Sequence, residues 1–268
     1  MEMTVRTERM ELFKGSHRFA NQSHNHEQFY QFTIPTQGIC HFTMENKPYR
    51  LHEGEGLIQH PGTEHYLHLD EASSVIIIKF SKDAFPQENQ LHAPPEFSEQ
   101  MRLNPSDLSR KFKDWTTELM FGGSRELLAS QETEIQVLEY LKGALSGSMM
   151  LEDGHHRYVS TQVRDIHLEQ VLAYMREYYS EAVSIDDLAA IAGQSRYHFM
   201  RSFRAYTGIT PYQHLLRMRI DDAKHRLRNT SSSIAEISCS LGFSSPSQFH
   251  RVFMKMVGMT PGGYRSSR

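Results

Sequence analysis

The sequence has little cysteine and no long hydrophobic run. Its 268 residues include two cysteines, Cys40 and Cys239, too few for the disulfide framework of a small secreted protein, so we expect reduced thiols in the cytoplasm. The longest aliphatic run, residues 75–78, falls far short of the roughly 20 apolar residues of a membrane span. The N-terminal residues mix both charge signs and lack an apolar core, so no signal peptide is predicted.

The whole chain also lacks a large excess of positive or negative charge, but its N-terminal and C-terminal parts differ in net charge. The net charge is -3. Residues 1–164 contain 16 Lys and Arg against 23 Asp and Glu, whereas residues 165–268 contain 13 against 9. A basic part joined to an acidic part indicates a polyanionic partner for the C-terminal part alone. At roughly 150 residues per domain, the length predicts about two domains.

Short strands are predicted in the N-terminal half. Between residues 24 and 80, aromatic and β-branched runs alternate with turn residues such as Gly38 and Gly54. This spacing is typical of an antiparallel β-barrel or sandwich. Apolar residues at helical spacing then predict two helices, near residues 107–121 and 132–145. These helices would cap the barrel or pair with a second subunit, and Trp115 is a candidate for either contact.

The spacing of histidine and glycine in this half resembles the two cupin motifs. The residues that carry the resemblance are His24, His26, Gln31 and Gly38 in the first motif, and Gly54, His60, Pro61, Gly62 and His65 in the second. Two of them depart from the pattern, because Gln31 replaces the usual glutamate and His60 the usual proline. The resemblance implies a cupin-like barrel with an effector pocket lined by His24, His26, Gln31, His60 and His65.

A divalent transition metal is one interpretation of this cluster. Imidazole is a ligand for Zn, Fe, Ni and Cu, so His24, His26, Gln31 and His65 are candidate metal ligands. The alternative is that the same side chains line a polar pocket for an organic effector. No cofactor is certain from the sequence.

The C-terminal half contains an internal repeat. A block that begins at Ser184 returns at Ser233, and Gly193 returns at Gly242, both at an offset of 49 residues. The following positions return at an offset of 50, and they are Ser195, Phe199, Arg201, Phe203, Gly208, Thr210 and Pro211 in the first copy. In each copy a serine precedes a short helix, a glycine permits a turn and a second serine precedes the next helix.

This arrangement predicts two helix-turn-helix units, near residues 184–206 and 233–256. Paired phenylalanines four residues apart would face the core, and the polar, basic residues between them would face outward. Residues 212–228 read as one continuous basic helix that would set the spacing between the units. A plain helical bundle is the alternative, but packing alone does not require the duplicated caps and arginine.

Residues 165–268 look like the DNA-binding domain of the AraC/XylS family of transcription regulators. The closing stretch, residues 242–265, is similar to the family signature, with Met254 where the family often has lysine. A cupin-like domain joined to this module is the family's common architecture. The resemblance therefore implies an α+β multidomain protein. Its parts are an effector-binding and dimerisation domain at 1–150, a linker at 151–163 and an all-α DNA-binding domain at 164–268.

The resemblance also assigns DNA-contacting roles. The candidates for reading bases are Tyr197, Met200 and Arg201 in the first unit and Ser247, His250 and Arg251 in the second. The candidates for phosphate contacts are Ser195, Arg204, Arg217, Ser245 and Lys255. Arg201 and Arg251 are the strongest candidates, because arginine pairs bidentately with guanine in the major groove.

We therefore expect a cytoplasmic, ligand-responsive regulator of transcription that reads successive major grooves of double-stranded DNA. The expected partners are DNA, a small-molecule effector, a second copy of the chain and, if the protein is an activator, RNA polymerase; no membrane partner is expected. A first alternative is a regulator whose effector is a divalent metal or a metal-bound ligand. A second is a metal-dependent cupin enzyme, but the sequence offers no catalytic pair, so no enzyme is expected.

Overall fold

The computed structural model describes four stretches of the chain, which are residues 2–84, 100–122, 126–146 and 166–267. The chain divides into two compact units: Met1–Thr117 with Gln136–Glu152, and Glu118–Ile135 with Asp153–Arg268. The sequence pattern does not indicate that residues 118–135 group with the C-terminal unit. The predicted linker at 151–163 lies outside the described residues, and the predicted domain boundaries stay predictions.

Two antiparallel sheets form most of the first unit. Its strands are β1 (Met3–Arg6), β2 (Met10–Ser16), β3 (Phe29–Gln37), β4 (Cys40–Met44), β5 (Lys47–Leu51), β6 (Glu55–Gln59), β7 (His65–Leu69), β8 (Ser74–Ser81) and β9 (Gln100–Arg102). Six strands form one sheet in the order β1-β2-β8-β3-β6-β9, and three form the other in the order β5-β4-β7. The antiparallel sheet domain predicted from the sequence is thereby confirmed.

The core of the first unit contains side chains from both sheets. Alternate residues of β4, beginning at Cys40, are buried, as a strand with one covered face requires. They pack with Leu57 of β6, Leu67 of β7 and Ile77 of β8. Burial raises the pKa of the Cys40 thiol to about 12, so this cysteine stays protonated. Cys239, in the other unit, is exposed, and both cysteines are free.

The two predicted helices after the sheets are present as α1 (Pro105–Gly122) and α2 (Leu127–Ser146). Helix α2 begins five residues before the predicted start. Trp115 of α1 is buried, and its ring lies 5.5 Å from that of Tyr140 in α2. Trp115 therefore packs within the first unit. Of the two predicted contacts for this residue, packing within the chain is the one that the structure contains.

The second unit contains further helices, which are α3 (Ile166–Tyr178), α4 (Ile185–Ala192), α5 (Arg196–Thr207), α6 (Pro211–Asn229), α7 (Ile234–Ser240), α8 (Pro246–Val257) and α9 (Pro261–Ser266). Helices α4 and α5 form the first predicted helix-turn-helix, α7 and α8 form the second, and α6 is the continuous helix between them. The all-α domain is confirmed. Among the described helices, none is both long enough and apolar enough to span a membrane.

Each copy of the repeat begins its helices in the predicted way. Ser184, Ser195, Ser233 and Ser245 each precede a helix, and each hydroxyl accepts a hydrogen bond from the backbone N–H three residues later. In the second turn, Gly242 has φ +79°, and a Cβ there would lie 2.4 Å from the carbonyl oxygen of Ser180. Glycine is therefore required at that turn.

Candidate DNA-binding surface and effector site

The first recognition helix, α5, divides into a buried face and an outward face. Phe199 and Phe203 are fully buried, whereas Arg201 and Arg204 are exposed and Tyr197 is partly buried. These positions fit the predicted contacts to bases and to the DNA backbone.

Met200 differs from the prediction. Its side chain is 8% exposed and belongs to the hydrophobic cluster of the second unit. A side chain packed in this cluster is not available to a base edge, so core packing replaces base reading as the interpretation of Met200. Helix periodicity alone does not distinguish core packing from base reading at Met200, because this residue follows Phe199 at the edge of the buried face.

The second recognition helix, α8, has the same organisation. Phe249 and Phe253 are fully buried, and the outward residues Ser247, His250 and Arg251 are exposed. Arg251 therefore occupies in α8 the position that Arg201 occupies in α5, on helices of 12 residues each.

The candidates for phosphate contacts lie near these outward faces. Ser195 and Ser245 cap α5 and α8 at the helix N-termini, where backbone N–H groups and the helix dipole favour an anion. The others are the exposed side chains of Arg204 in α5, Arg217 in α6 and Lys255 in α8. All five candidates lie where a phosphate could approach, and their assignment stays a prediction.

Some basic residues of α6 have structural partners instead. Arg226 forms an ion pair with Asp222 at 2.8 Å, and the Arg228 guanidinium lies 4.6 Å from the centre of the Tyr264 ring. Arg219 is 2% exposed and forms an ion pair with Glu126 at 2.8 Å. The basic character of this helix therefore overstates the charge that is available to DNA.

A buried polar network surrounds Arg219. Its guanidinium also donates to the carbonyl oxygens of Tyr179 and Glu181. The Glu126 carboxylate in turn accepts a hydrogen bond from the amide of Gln248, at the start of α8, at 3.3 Å. This network joins residue 126 to the connecting helix and to the second recognition helix, and no pattern along the chain predicts it.

Two neighbouring side chains of α2 cap other helices of the second unit. Gln131 Oε1 accepts from the N–H of Ile185, the first residue of α4, at 2.6 Å. Glu132 accepts from the N–H of Tyr212 in the first turn of α6, at 2.5 Å. Burial raises the pKa of Glu132 to about 7, although the hydrogen bond from Tyr212 opposes the shift.

Three of the predicted effector residues come together in the first unit. His24 and His26 lie in the loop between β2 and β3, and His65 begins β7. The separations between ring centres are 4.8 Å for His24 and His26, 4.6 Å for His24 and His65, and 5.5 Å for His26 and His65. Burial lowers the pKa of His26 to about 4 and also lowers the pKa of His65, so both imidazoles are neutral at pH 7.

The other two predicted effector residues have contacts of their own. The His60 ring packs edge-on against Tyr30, 5.5 Å between centres. Gln31 is buried, and its amide donates to Thr33 Oγ1 at 3.1 Å. Thr33 in turn donates to Gln59 Oε1 at 3.0 Å. The amide nitrogen of Gln31 therefore takes part in a polar chain within the sheet.

This polar chain extends across the six-stranded sheet. Glu11 pairs with Lys79, Lys79 with Gln31 and Gln31 with Gln59, so these residues share one face. Thr33 lies on the same face, opposite the core residue Ile77. The Lys79 ammonium lies 3.0 Å from Glu11 Oε1 and contributes to the lowered pKa of His26 and His65. The barrel interior thus contains a polar region that the motif match missed, although Lys79 interrupts an otherwise apolar strand.

A separate groove of about 550 Å³ opens on the first unit. It is lined by residues of β5, β6, β9 and the end of α2, among them Arg50, Met101 and Leu145. None of the five predicted effector residues lines it. The histidine cluster and the groove are therefore two distinct candidate ligand sites.

Comparison with known proteins identifies both units. Residues 12–133 match an AraC-like ligand binding domain, and residues 188–267 match a helix-turn-helix domain. The chain belongs to the AraC family of transcriptional regulators. The ligand-binding match ends inside α2, so it includes most of the 118–135 segment, which the structure groups with the DNA-binding helices.

Relatives of this regulator are similar over nearly the whole chain or over little more than a third of it. The HTH-type transcriptional activator RhaS of Enterobacter sp. (strain 638) is 26% identical over 258 residues, which cover 91% of this chain and 87% of that protein. The MmsAB operon regulatory protein of Pseudomonas aeruginosa is 35% identical over 98 residues, 37% of this chain and 32% of that protein. The DNA-binding domain of AdpA, solved with a target DNA, is 34% identical with a TM-score of 0.36 and covers 37% of this chain and 90% of that one.

Proposed function

We propose that this regulator binds a small effector in the barrel interior and reads one DNA duplex with α5 and α8 in successive major grooves. One observation carries the proposal. The same capped helix-turn-helix occurs twice, and each copy exposes an arginine at the equivalent position, Arg201 or Arg251. The helix between the copies has 19 residues and is about 28 Å long at 1.5 Å per residue. This length is comparable to the roughly 34 Å of one duplex turn.

The segment from Glu126 to Ile135 supports a route from effector to DNA. Its residues up to 133 belong to the ligand-binding match, yet Gln131 and Glu132 cap α4 and α6 of the DNA-binding unit. An effector that binds more tightly to one arrangement of this segment would shift the population of that arrangement. We propose that α2, which contributes residues to both units, transmits the effector signal in this way.

The proposal extends to the assembly and to the cell. A homodimer would raise the effective concentration of paired DNA sites, and an activator would also contact RNA polymerase. Access to DNA places the protein in the cytoplasm. No catalytic step is part of the proposal, and DNA binding without turnover of a ligand separates it from the metal-dependent enzyme.

Selection from a random duplex pool tests the proposal. The full-length protein should enrich a site with two conserved blocks about 10–10.5 base pairs apart, centre to centre. The same selection with Arg201→Ala should relax the preference at a base pair of one block, and with Arg251→Ala at a base pair of the other. Recovery of no preferred sequence by the folded wild-type protein would contradict the proposal.

A further inference from the structure

The three imidazoles of His24, His26 and His65 converge, although His65 lies about 40 residues after the other two. Each offers one ring nitrogen, and these nitrogens all lie within 4.8 Å of one another. The third histidine comes from a different strand, about 40 residues later, and its backbone pairs with that of His24 in an isolated β-bridge. The backbone thus fixes the first and third rings side by side.

Backbone carbonyls determine which nitrogen of two rings carries the lone pair. Nδ1 of His24 lies 2.8 Å from the carbonyl oxygen of Gln22, and Nδ1 of His65 lies 2.8 Å from that of Thr63. Because a carbonyl oxygen accepts only, each Nδ1 carries the proton and each Nε2 carries a lone pair. Metal-binding histidines are oriented in the same way by a hydrogen bond from the other ring nitrogen.

Two of the Nε2 atoms lack the partner that their burial demands. Nε2 of His26 and Nε2 of His65 are buried and have no hydrogen-bond partner within the described part of the chain. The whole His65 residue is 2% exposed. Buried polar atoms are nearly always satisfied, so two unsatisfied nitrogens within one cluster of imidazoles indicate a ligand.

We propose that His24, His26 and His65 bind one divalent transition-metal ion, which forms part of the effector site. Neutral imidazoles are suitable ligands for Zn, Fe, Ni and Cu. Zn–N bonds of about 2.0–2.1 Å place tetrahedral ligand nitrogens roughly 3.3 Å apart, so the cluster tightens on binding. Three protein ligands leave a coordination position for water or for an oxygen of an effector.

The fourth candidate from the sequence, Gln31, is not part of this proposal, which rests on the three converging imidazoles. The amide nitrogen of Gln31 donates to Thr33 Oγ1. The Lys79 ammonium lies close enough to affect the pKa of His26 and His65, but its charge is balanced by Glu11 at 3.0 Å. The regulatory role of the ion rests on the proposed function, whereas metal binding itself does not.

The test is a zinc titration of the untagged, full-length protein after dialysis against a chelator, followed by calorimetry and elemental analysis. We expect one Zn²⁺ per chain and an affinity at least 100-fold weaker in the double variant His24→Ala/His26→Ala. The matched control is His41→Ala/His68→Ala, which removes a stacked pair 4.6 Å apart on the same three-stranded sheet. This control should bind zinc like the wild type.

Equal zinc binding by the wild type and the His24→Ala/His26→Ala variant would overturn the proposal, and so would loss of binding in the control alone. If the double variant fails to fold, imidazole nitrogen NMR of the wild type decides, because zinc must shift the Nε2 signals of all three rings. Sequence-specific DNA binding without zinc binding would refute the metal site and leave the proposed function. Zinc binding without any preference for a DNA sequence would refute the proposed function and leave the metal site.

Discussion

The two helix-turn-helix copies share their caps and their outward arginine but are anchored differently. The first copy belongs to a hydrophobic cluster that includes Leu128, Ala129 and Ile135 of α2. The cluster of the second copy is built from residues between 220 and 253, and its described tie to the α2 segment is the polar network around Glu126. The comparison teaches that duplicated units need not be joined to the same segment in the same way. Apolar packing joins the first copy to residues of α2, whereas Glu126 pairs with Arg219 of α6 and accepts a hydrogen bond from Gln248 of the second copy.

The largest expected effect comes from breaking the anchor of the second copy. Arg219→Ala leaves the Glu126 carboxylate buried without its cation, so we expect a loss of about 3–5 kcal/mol in the free energy of unfolding. Urea denaturation of the full chain measures it. The control is Arg217→Ala, an exposed arginine of the same helix, for which a change within about 0.5 kcal/mol is expected. Equal losses in the two variants would contradict the assigned role of the ion pair.

Glu132, which caps α6, makes the stability depend on pH. Its folded pKa of about 7 exceeds the ordinary value of 4.5, so the folded state binds the proton more tightly than the unfolded state. Stability should therefore rise as the pH falls from about 7 to 4.5, by about 3 kcal/mol in total. Glu132→Gln keeps the acceptor for Tyr212 and removes the charge.

The Glu132→Gln variant should be about 3 kcal/mol more stable than the wild type at pH 8, and its stability should be nearly equal to that of the wild type below pH 4.5. Urea denaturation across this pH range measures the difference. Glu139→Gln, at an exposed position of the same helix, is the control and should show no such pH-dependent gain. A constant difference between Glu132→Gln and the wild type at every pH would contradict the raised pKa.

The recognition helices themselves test whether the two copies are equivalent on DNA. Arg201→Ala and Arg251→Ala should each weaken binding to the selected site by about 1–3 kcal/mol and relax specificity at one base pair. Fluorescence anisotropy with matched and mismatched duplexes measures both effects. Arg204→Ala is the comparison, because losing a phosphate contact weakens binding to all sequences alike. A uniform loss in Arg201→Ala would move that residue to the phosphate group.

The smallest expected effect comes from removing the N-cap serines, which both copies contain. Ser184→Ala and Ser233→Ala each remove the N-cap of the first helix in a copy, and each should cost about 1 kcal/mol of stability. Thermal denaturation gives the values. Ser232→Ala changes the residue just before the second cap and should have little effect. A loss confined to one copy would show that the caps are not equivalent.

Structural features that depend only on residues close together in the chain could be predicted from the sequence. The caps at Ser184 and Ser233 and the outward positions of Arg201 and Arg251 follow from helix periodicity and cap chemistry, and the structure contains them. His24, His26 and His65, which were grouped from their spacing, lie together in the structure.

Long-range contacts were beyond this reasoning. Glu126 lies 93 residues before Arg219 and 122 before Gln248, so no pattern along the chain links them. The burial of Met200 could not be predicted for the same reason, since it depends on packing within the hydrophobic cluster. Tertiary contacts thus determined which polar and apolar side chains are available for function.

Footprinting on the selected duplex tests the central claim, that both copies read one face of the DNA. The account predicts two protected major-groove segments about 10–10.5 base pairs apart. Arg201→Ala should weaken protection at one segment and Arg251→Ala at the other. A single protected segment, or loss of the same segment in both variants, would contradict it.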